Sequence, residues 1–320
     1  MSPSLLQLPV EGAVKVYLLQ LCKQADAACI RLGDPADEEA LHDFRVAIRR
    51  SRTWLRAYHL YLPIDKALRK RLRSLARRTN AARDAEVAIT GLQGFACEMT
   101  VAQRVGLDWL LARFEAVRQQ AYADILHHVP RAWPPVARDL RHHLRQMTEE
   151  ATPAFTQVAF ELTASAEAEL AQNLTAIGGL QDMASIHQAR ITAKRLRYLL
   201  EPFRKDVHGV NEAVKRLAAL QDAMGELHDG HVLLQNLAAT VEEAAMLRAR
   251  RMLEQTLADP AGAPHAVRRG HAEQTGLLAL ARLVALQQQQ RFTEAQSRYM
   301  GRHARPFLED VEPAIARLAG

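Results

Sequence analysis

The sequence predicts an all-α fold of two four-helix bundles, related by an approximate two-fold axis and produced by an internal duplication. Apolar residues recur at spacings of three and four nearly everywhere, without sustained alternation. Glycine (15) and proline (13) are scarce among the 320 residues. One long segment also matches another at a constant offset of 145 residues. These observations disfavour a sheet-rich fold and, with it, most nucleotide-binding α/β enzymes.

The duplication is clearest in two basic motifs. HDFRVAIRRSR (residues 42–52) lies over HQARITAKRLR (residues 187–197) without a gap, and Lys70-Arg71-Leu72 matches Lys215-Arg216-Leu217 at the same offset. The match weakens after Leu237 and resumes later at a larger offset. We therefore expect an insertion of roughly 25 residues in the second copy, with a loop at the Pro- and Gly-containing segment 258–270.

Helix signals place the elements in order. The first half has predicted helices at 10–31, 38–61, 65–92 and 100–128, and the second half at 153–177, 183–205, 211–250 and 272–300. Trp133-Pro134-Pro135 is predicted to end the first four-helix unit, followed by a connecting helix over 136–150. The predicted division is residues 1–150 for the first bundle with its connecting helix and 151–320 for the second, together forming one domain.

Positive charge is concentrated in the two duplicated segments. The formal net charge is only +6, yet residues 42–83 hold thirteen Lys or Arg against two acidic residues, and residues 187–216 hold eight against three. The rest of the chain is therefore acidic. This distribution predicts a localised anion site rather than a uniformly charged surface.

Helical geometry gathers these charges on one side of each helix. His42, Arg45, Arg49, Arg52 and Arg56 fall within an arc of about 80°, and the apolar residues of the same helix fall elsewhere. The candidate anion-binding residues, which we call the cationic face, are His42, Arg45, Arg49, Arg52, Arg56, Lys66, Lys70, Arg73, His187, Arg190, Lys194, Arg197 and Lys215. Like charges at i, i+4 repel, and arginine binds phosphate oxygens bidentately, so this pattern favours a long polyanion as the ligand.

Aromatic content bears on which polyanion is bound. Phe, Trp and Tyr make up only 5% of the chain, and Trp54, Tyr58 and Tyr61 are predicted to point away from the cationic arc. Single-stranded nucleic acids are usually held by stacking on exposed rings. The sequence therefore favours a polyanion without bases.

The motifs HDFRVAIRRSR and HQARITAKRLRYLLE, each followed some forty residues later by an RD or HD pair, resemble the CHAD domain, the conserved histidine α-helical domain. The resemblance covers roughly residues 10–300. It implies two four-helix bundles packed around a basic central pore that binds inorganic polyphosphate, with His42, Arg45, Arg49, Arg52, Lys70, His187, Arg190, Lys194 and Arg197 along the path. Glu201 opposite Arg56, and Ala218 opposite Arg73, depart from the basic pattern and imply that the second half contributes less charge.

The favoured function is non-catalytic binding of inorganic polyphosphate, with no cofactor, no membrane partner and nucleic acid as the weaker alternative. An RNA-binding or scaffold protein, or a phosphohydrolase or phosphotransferase acting on polyphosphate, stays open. Catalysis is disfavoured because no carboxylate lies at i±4 of His187 and because nearby arginines depress a histidine pKa.

A metal site at His228-Asp-Gly-His231 is disfavoured, because the cysteines are not spaced to complete it. The three cysteines form no CxxC pair, and neither a signal peptide nor a spanning apolar run is found. These features predict a cytoplasmic protein, and the resemblance extends that expectation to association with polyphosphate granules.

Overall fold

The computed structural model describes residues 5–34, 37, 39–62, 64–147, 153–258 and 271–319. This part of the chain is almost entirely helical, and its only extended pairing is an isolated antiparallel bridge between Pro9 and Ala154. The predicted all-α class is confirmed. None of the helices in the described ranges is long and apolar enough to cross a membrane.

The helices follow one another without intervening strands in the described ranges. In chain order they are α1 Val10–Arg31, α2 Glu39–Ala57, α3 Lys66–Arg78, α4 Asn80–Gln93, α5 Val101–Arg145, α6 Phe155–Thr175, α7 Met183–Leu200, α8 Val210–Ala258, α9 His271–Tyr299, α10 Ala304–Glu309 and α11 Glu312–Ala316. Short 3₁₀ turns include His59–Tyr61 after α2 and Glu201–Phe203 after α7.

The chain divides into two compact units. The first unit comprises Met1–Asn80, Ala121–Met224 and Ala295–Gly320, and the second comprises Ala81–Gln120 and Gly225–Glu294. Each unit therefore draws on both predicted halves, while α5, α8 and α9 contribute residues to both units. The duplication and the division of its copies at residue 150 stay predictions.

In the core of the first unit, α1 packs on α2 and α6 packs on α7. These two helix pairs contact each other where α1 meets α6 and where α2 meets α7. Aromatic rings fill its centre: Tyr17 and Trp54 have centroids 4.2 Å apart, Trp54 and Tyr58 4.8 Å, and Phe155 and Phe203 5.2 Å. The indole N–H of Trp54 donates to the Tyr198 carbonyl oxygen at 3.0 Å. The buried face of α2 thereby leaves the cationic arc on another side of the helix.

The second unit has its own apolar core. Its buried residues come from α4, the turn after it, α5, α8 and α9: Leu92, Phe95, Met99, Leu107, Leu110, Leu233, Leu237, Leu277, Leu280 and Val284. A pair of glycines sets the spacing between α5 and α9. A Cβ on Gly276 would lie 2.2 Å from the Gln103 carbonyl oxygen, and one on Gly106 would lie 2.5 Å from the Glu273 carbonyl oxygen. Only glycine permits this close backbone approach.

Several predicted boundaries were wrong. The single helix predicted over 65–92 is two helices, because α3 ends at Arg78 and α4 begins at Asn80. The helix predicted over 38–61 ends at Ala57, and the one predicted over 183–205 ends at Leu200, each followed by a 3₁₀ turn. Residues 259–270 of the predicted loop, and 148–150 of the predicted connecting helix, lie outside the described residues.

The predicted break at Trp133-Pro134-Pro135 was also wrong, since α5 continues from Val101 to Arg145 through these prolines. Each proline removes one intrahelical donor and crowds the preceding turn. Trp133 opposes that cost: it is 2% exposed, its indole N–H donates to Asp26 Oδ1 at 2.9 Å, and its ring meets Phe44 edge-on at 5.6 Å. The burial of Trp133 in the tertiary structure thus outweighs the tendency of the prolines to end the helix.

Replacing the Trp133 anchor tests this explanation. Trp133→Ala is expected to lower the free energy of unfolding by about 3 to 5 kcal/mol, because it removes a fully buried ring and leaves a cavity. Pro134→Ala, at an exposed position on the same turn, is expected to leave stability unchanged or raise it, because alanine restores a helical donor. Chemical denaturation measures both changes, and equal losses for the two variants would contradict the explanation.

Candidate anion-binding site

Asp65 starts the second basic helix of the site. Its side chain caps α3 by accepting from the Leu68 N–H at 2.6 Å, so that the helix begins at Lys66. Leu68, Leu72 and Leu75 are buried, so the intervening cations turn outward. Lys66, Lys70 and Arg73 are exposed.

Arg45 has a structural contact that the sequence did not predict. Its guanidinium donates to the carbonyl oxygen of Thr79, to Thr79 Oγ1 at 2.7 Å and, more weakly, to Asn80 Oδ1 at 3.4 Å. Thr79 caps the C-terminal end of α3, so a cation here satisfies carbonyl groups that the helix leaves open. This contact fixes α2 to the junction of α3 and α4.

Arg49 and Arg52 lie half-buried on α2 and differ from ordinary surface arginines. Within the described part of the chain neither forms an ion pair with a carboxylate, and the Arg49 Nε atom is buried without a hydrogen-bond partner. Burial lowers the pKa of Arg52, and the nearby charge of Arg73 lowers it further. Two cations from α2 and α3 are therefore held close together although they repel each other.

The second basic row lies on α7 and includes His187, Arg190 and Lys194, all half-buried. Burial lowers the pKa of His187, and the charges of Arg190 and Lys194 lower it further. The sequence predicted that nearby arginines lower the pKa of a histidine. The pKa of His187 is lowered, and burial is the larger cause. His42, at the corresponding position on α2, is exposed.

The two rows are linked by a nearly buried carboxylate. Glu201, which is 6% exposed, accepts from Arg50 Nε at 2.7 Å and lies 3.0 Å from Arg197 Nη1. The Arg197 Nε atom also donates to Gln221 Oε1 at 3.1 Å. The carboxylate therefore joins α2 to α7 and neutralises charge at this end of the cationic face.

A single tyrosine ring completes this linkage. The guanidinium carbons of Arg49, Arg50 and Arg197 lie 5.9, 5.7 and 4.8 Å from the centroid of the fully buried Tyr198 ring. An aromatic face attracts cations, most strongly where water is excluded. Tyr198 thus packs against Arg49, which the carboxylate does not reach.

Two further predicted site residues, Arg56 and Lys215, have carboxylates nearby. Arg195 donates to Glu169 Oε2 at 2.6 Å, and the pKa of Glu169 is lowered first by this bond and to a smaller extent by the charge of Arg56. Lys215 is exposed and lies 3.6 Å from a Glu212 oxygen. The helices α7 and α8 and the end of α2 therefore carry less uncompensated charge than their arginine and lysine content suggests.

Sequence reasoning missed Arg50, Tyr198 and the role of Glu201. Arg50 lies about 140° around α2 from Arg45, outside the cationic arc, so helical periodicity gave no reason to include it. Tyr198 lies in the motif HQARITAKRLRYLLE, and nothing in the sequence indicates that its ring contacts three arginines. Glu201 was noted as a departure from the basic pattern, and that substitution of a carboxylate for a cation was the one signal that pointed to a salt bridge.

Comparisons with known proteins agree on one family. The sequence model of the CHAD domain family matches residues 17–238. The crystal structure of the CHAD domain from the plant Ricinus communis is 23% identical, with a TM-score of 0.61, and the match covers 86% of this chain and 93% of that one. PptA from Streptomyces chartreusis is 16% identical, with a TM-score of 0.64, and the match covers 96% of this chain and 99% of that one. The search of curated proteins gives no match.

Glu201 offers a direct test of the link between the helices. Glu201→Gln is expected to lower the free energy of unfolding by about 3 to 5 kcal/mol, because Arg50 and Arg197 would be left half-buried without their counter-charge. The matched control is Glu212→Gln in the exposed pair with Lys215, which should change stability by less than about 1 kcal/mol. Urea denaturation compares the two, and a similar small effect for both would show that the buried carboxylate is dispensable.

Proposed function

The chain belongs to the CHAD domain family, and on that premise we propose that it binds inorganic polyphosphate, without catalysis, along the cationic faces of α2, α3 and α7. The site consists of the thirteen residues defined above as the cationic face. In this proposal the two rows of cations line a common path for the polymer. The same proposal places the protein in the cytoplasm, in association with polyphosphate granules.

The proposal depends most on the state of Arg49 and Arg52. Both cations are partly removed from water, and within the described ranges neither is ion-paired with a carboxylate. Arg52 is further destabilised as a cation by Arg73. A bound polyanion would supply the missing counter-charge and would accept from guanidinium groups that the fold already holds in place.

The length of the face favours a polymer over a single phosphate. The row from His42 to Arg56 covers fourteen residue steps, or about 21 Å of helix. Lys66, Lys70 and Arg73 add cations from α3, which packs beside α2. An anion that repeats its charge along such a distance gains several charge-assisted contacts at once and displaces its own counterions.

The rings near the face do not favour nucleic acid. Trp54, Tyr58 and Tyr198 are all fully buried, so none of them offers a surface on which a base could stack. Every member of the face is a cation or an imidazole. These groups neutralise and orient phosphates, and we assign the histidines as donors to phosphate oxygens rather than as acid–base catalysts.

Binding of polyphosphate should be steeply dependent on salt. Arg49→Glu/Arg52→Glu is expected to weaken binding at least tenfold and to reduce the slope of log affinity against log salt by about 0.7 for each phosphate that the variant no longer neutralises. Lys66→Glu/Lys70→Glu alters only exposed residues, so it should also weaken polyphosphate binding and reduce the salt slope without affecting the fold. The matched control is Arg250→Glu/Arg251→Glu at exposed positions of α8. Filter binding across a salt series measures affinity, and circular dichroism confirms that the helices are retained.

Four outcomes would contradict the proposal. A flat salt dependence, or an equally weakened affinity in the control variant, would mean that the cationic face does not bind the polymer. RNA of equal charge that outcompetes polyphosphate would indicate a site that reads bases. Release of orthophosphate when the protein is incubated with polyphosphate and Mg²⁺ would mean that the protein is a phosphohydrolase.

His187 should make binding dependent on pH. Its lowered pKa keeps the ring neutral at pH 7 in the free protein, whereas a bound polyanion favours the imidazolium and raises that pKa. Binding then takes up a proton, and affinity rises as pH falls from about 7.5 to about 5.5, on either side of the ordinary histidine value. His187→Gln should flatten this dependence, and His142→Gln, at an exposed position of α5, should leave it unchanged.

The free protein has the opposite dependence on pH. Because the folded state lowers the pKa of His187, the unfolded state binds protons more readily, and stability falls as pH drops below the ordinary histidine value. Affinity is therefore compared at pH values where circular dichroism shows an intact fold. An affinity that is independent of pH in the parent protein would remove His187 from the site.

A further inference from the structure

The last fourteen residues of α8, residues 245–258, are exposed in the second unit except for the half-buried Arg248. The preceding part of α8 packs into the apolar core of that unit through Leu233 and Leu237. The exposed segment nevertheless carries five large apolar side chains, with exposed fractions from 37% to 71%: Met246, Leu247, Met252, Leu253 and Leu257. A cluster of exposed apolar side chains is typical of an interaction surface.

Three of these residues form a stripe that points away from the core of the second unit. Met246, Leu253 and Leu257 fall within an arc of about 40° on the helix. Leu237, a core residue, is nine positions before Met246 and therefore lies about 180° from it around the helix. The core-facing side of α8 is continued in this segment by polar residues, namely Arg248, Arg251 and Gln255. The stripe is therefore not an extension of the core.

The apolar surface widens around this stripe and is bordered by arginines. Small or apolar neighbours extend it to an arc of about 140°, and these are Ala245, Ala249, Met252 and Thr256. Arg250 stands at one edge of the arc, about 20° from Leu257, and Arg248 stands at the other, about 40° from Met252. The segment is thus amphipathic, with a cation on each side of its apolar arc.

The polar part of the segment has a positive net charge. Arg248, Arg250 and Arg251 stand against one acidic residue, Glu254, which lies 3.0 Å from Arg250 Nε. Both members of this pair are largely exposed, so the contact adds little stability and leaves the segment with a net charge of +2. A partner for this surface therefore has to combine apolar groups with negative charge.

A second copy of this chain does not meet that requirement. Pairing two such segments would bring like charges together, which weakens association. Three large apolar side chains on about 20 Å of helix also provide much less surface than the roughly 800 Å² that each partner buries in a stable complex.

A lipid surface with anionic headgroups does meet it. A basic amphipathic helix can lie in the membrane interface with its apolar arc at the acyl boundary. Arginines at the edges of the arc then keep their stems on apolar surface while their guanidinium groups reach the headgroup phosphates. The segment is exposed around most of its circumference, so it can lie flat on such a surface.

We propose that residues 245–258 of α8 dock the protein onto an anionic lipid surface, with Met246, Leu253 and Leu257 at the acyl boundary and Arg248 and Arg250 among the headgroups. The sequence predicted no membrane partner because it has no spanning apolar run, and a helix that lies in the interface needs none. The docking segment contains none of the thirteen residues of the cationic face, so it is independent of polyphosphate binding.

Co-sedimentation with lipid vesicles tests the docking segment. The protein is expected to bind vesicles of phosphatidylcholine and phosphatidylserine in equal parts at least tenfold more tightly than vesicles of phosphatidylcholine alone. Leu253→Gln/Leu257→Gln should weaken binding to the anionic vesicles at least tenfold. The matched control is Leu278→Gln/Leu286→Gln, which alters similarly exposed leucines of α9 in the same unit and should bind like the parent.

Charge reversals separate lipid binding from polyphosphate binding. Arg250→Glu/Arg251→Glu should weaken binding to the anionic vesicles and leave polyphosphate binding unchanged. Arg49→Glu/Arg52→Glu should have the reverse effects. All four residues are on helical surfaces that are exposed or half-buried, and circular dichroism confirms that each variant keeps its helices.

Tryptophan fluorescence distinguishes insertion from adsorption by charge alone. Emission from Leu257→Trp should shift to shorter wavelength, relative to the parent, when anionic vesicles are added, and emission from Leu278→Trp should not.

Three outcomes would overturn the proposal. The first is that anionic vesicles do not bind. The second is that their binding is lost in Arg49→Glu/Arg52→Glu but kept in Leu253→Gln/Leu257→Gln, which would assign it to the cationic face. The third is a dimer in sedimentation velocity that Leu253→Gln/Leu257→Gln dissociates, which would assign the stripe to a second copy. Absence of polyphosphate binding alone would contradict the proposed function and leave this inference intact.

Discussion

The nearly buried carboxylate of Glu201 is the interaction on which the arrangement of α2 and α7 depends. Bringing two arginine-rich helices together places like charges close to one another, and that repulsion has to be offset within the fold. Glu201 does so by binding Arg50 from α2 and Arg197 from α7, and the Tyr198 ring lies against both arginines. A buried ion pair of this kind contributes little net energy but becomes costly once one partner is removed. It therefore fixes geometry more than it adds stability.

This arrangement divides the arginines of α2 between two tasks. Arg50 faces Glu201 and holds the helices together, whereas Arg49 and Arg52, on the other side, are not ion-paired with carboxylates within the described residues. Arg195 resembles Arg50 in this respect, since it binds Glu169 across the α6–α7 contact. Arg50 and Arg195 thus stabilise helix packing, and in the proposed function Arg49 and Arg52 keep their charge for an anion.

Much of the fold was predictable because burial on a helix repeats every three or four residues. The apolar residues of α2 that were predicted to lie outside the cationic arc include Phe44, Ile48 and Leu55, and all three are buried. Two of the errors coincide with contacts to residues that are distant in the sequence. Trp133 keeps α5 continuous through its prolines by packing on Phe44 and donating to Asp26. Likewise, Arg45 contacts Thr79 at the point where one predicted helix became α3 and α4. Phe44 and Asp26 are far from Trp133 in the sequence, and Thr79 is far from Arg45. A local sequence pattern therefore does not predict these contacts.

The sequence by itself determined the helical class, the family and the identity of the cations on one side of each basic helix, because periodicity and charge are properties of neighbouring residues. Only the tertiary structure decided which of those cations are neutralised. Glu201 and Arg50 are 151 positions apart, and their bond at 2.7 Å exists only because α2 packs on α7. The pKa of Arg52 likewise depends on burial and on Arg73 from another helix. Electrostatic energy depends on distance and burial in three dimensions, and a linear sequence specifies neither directly.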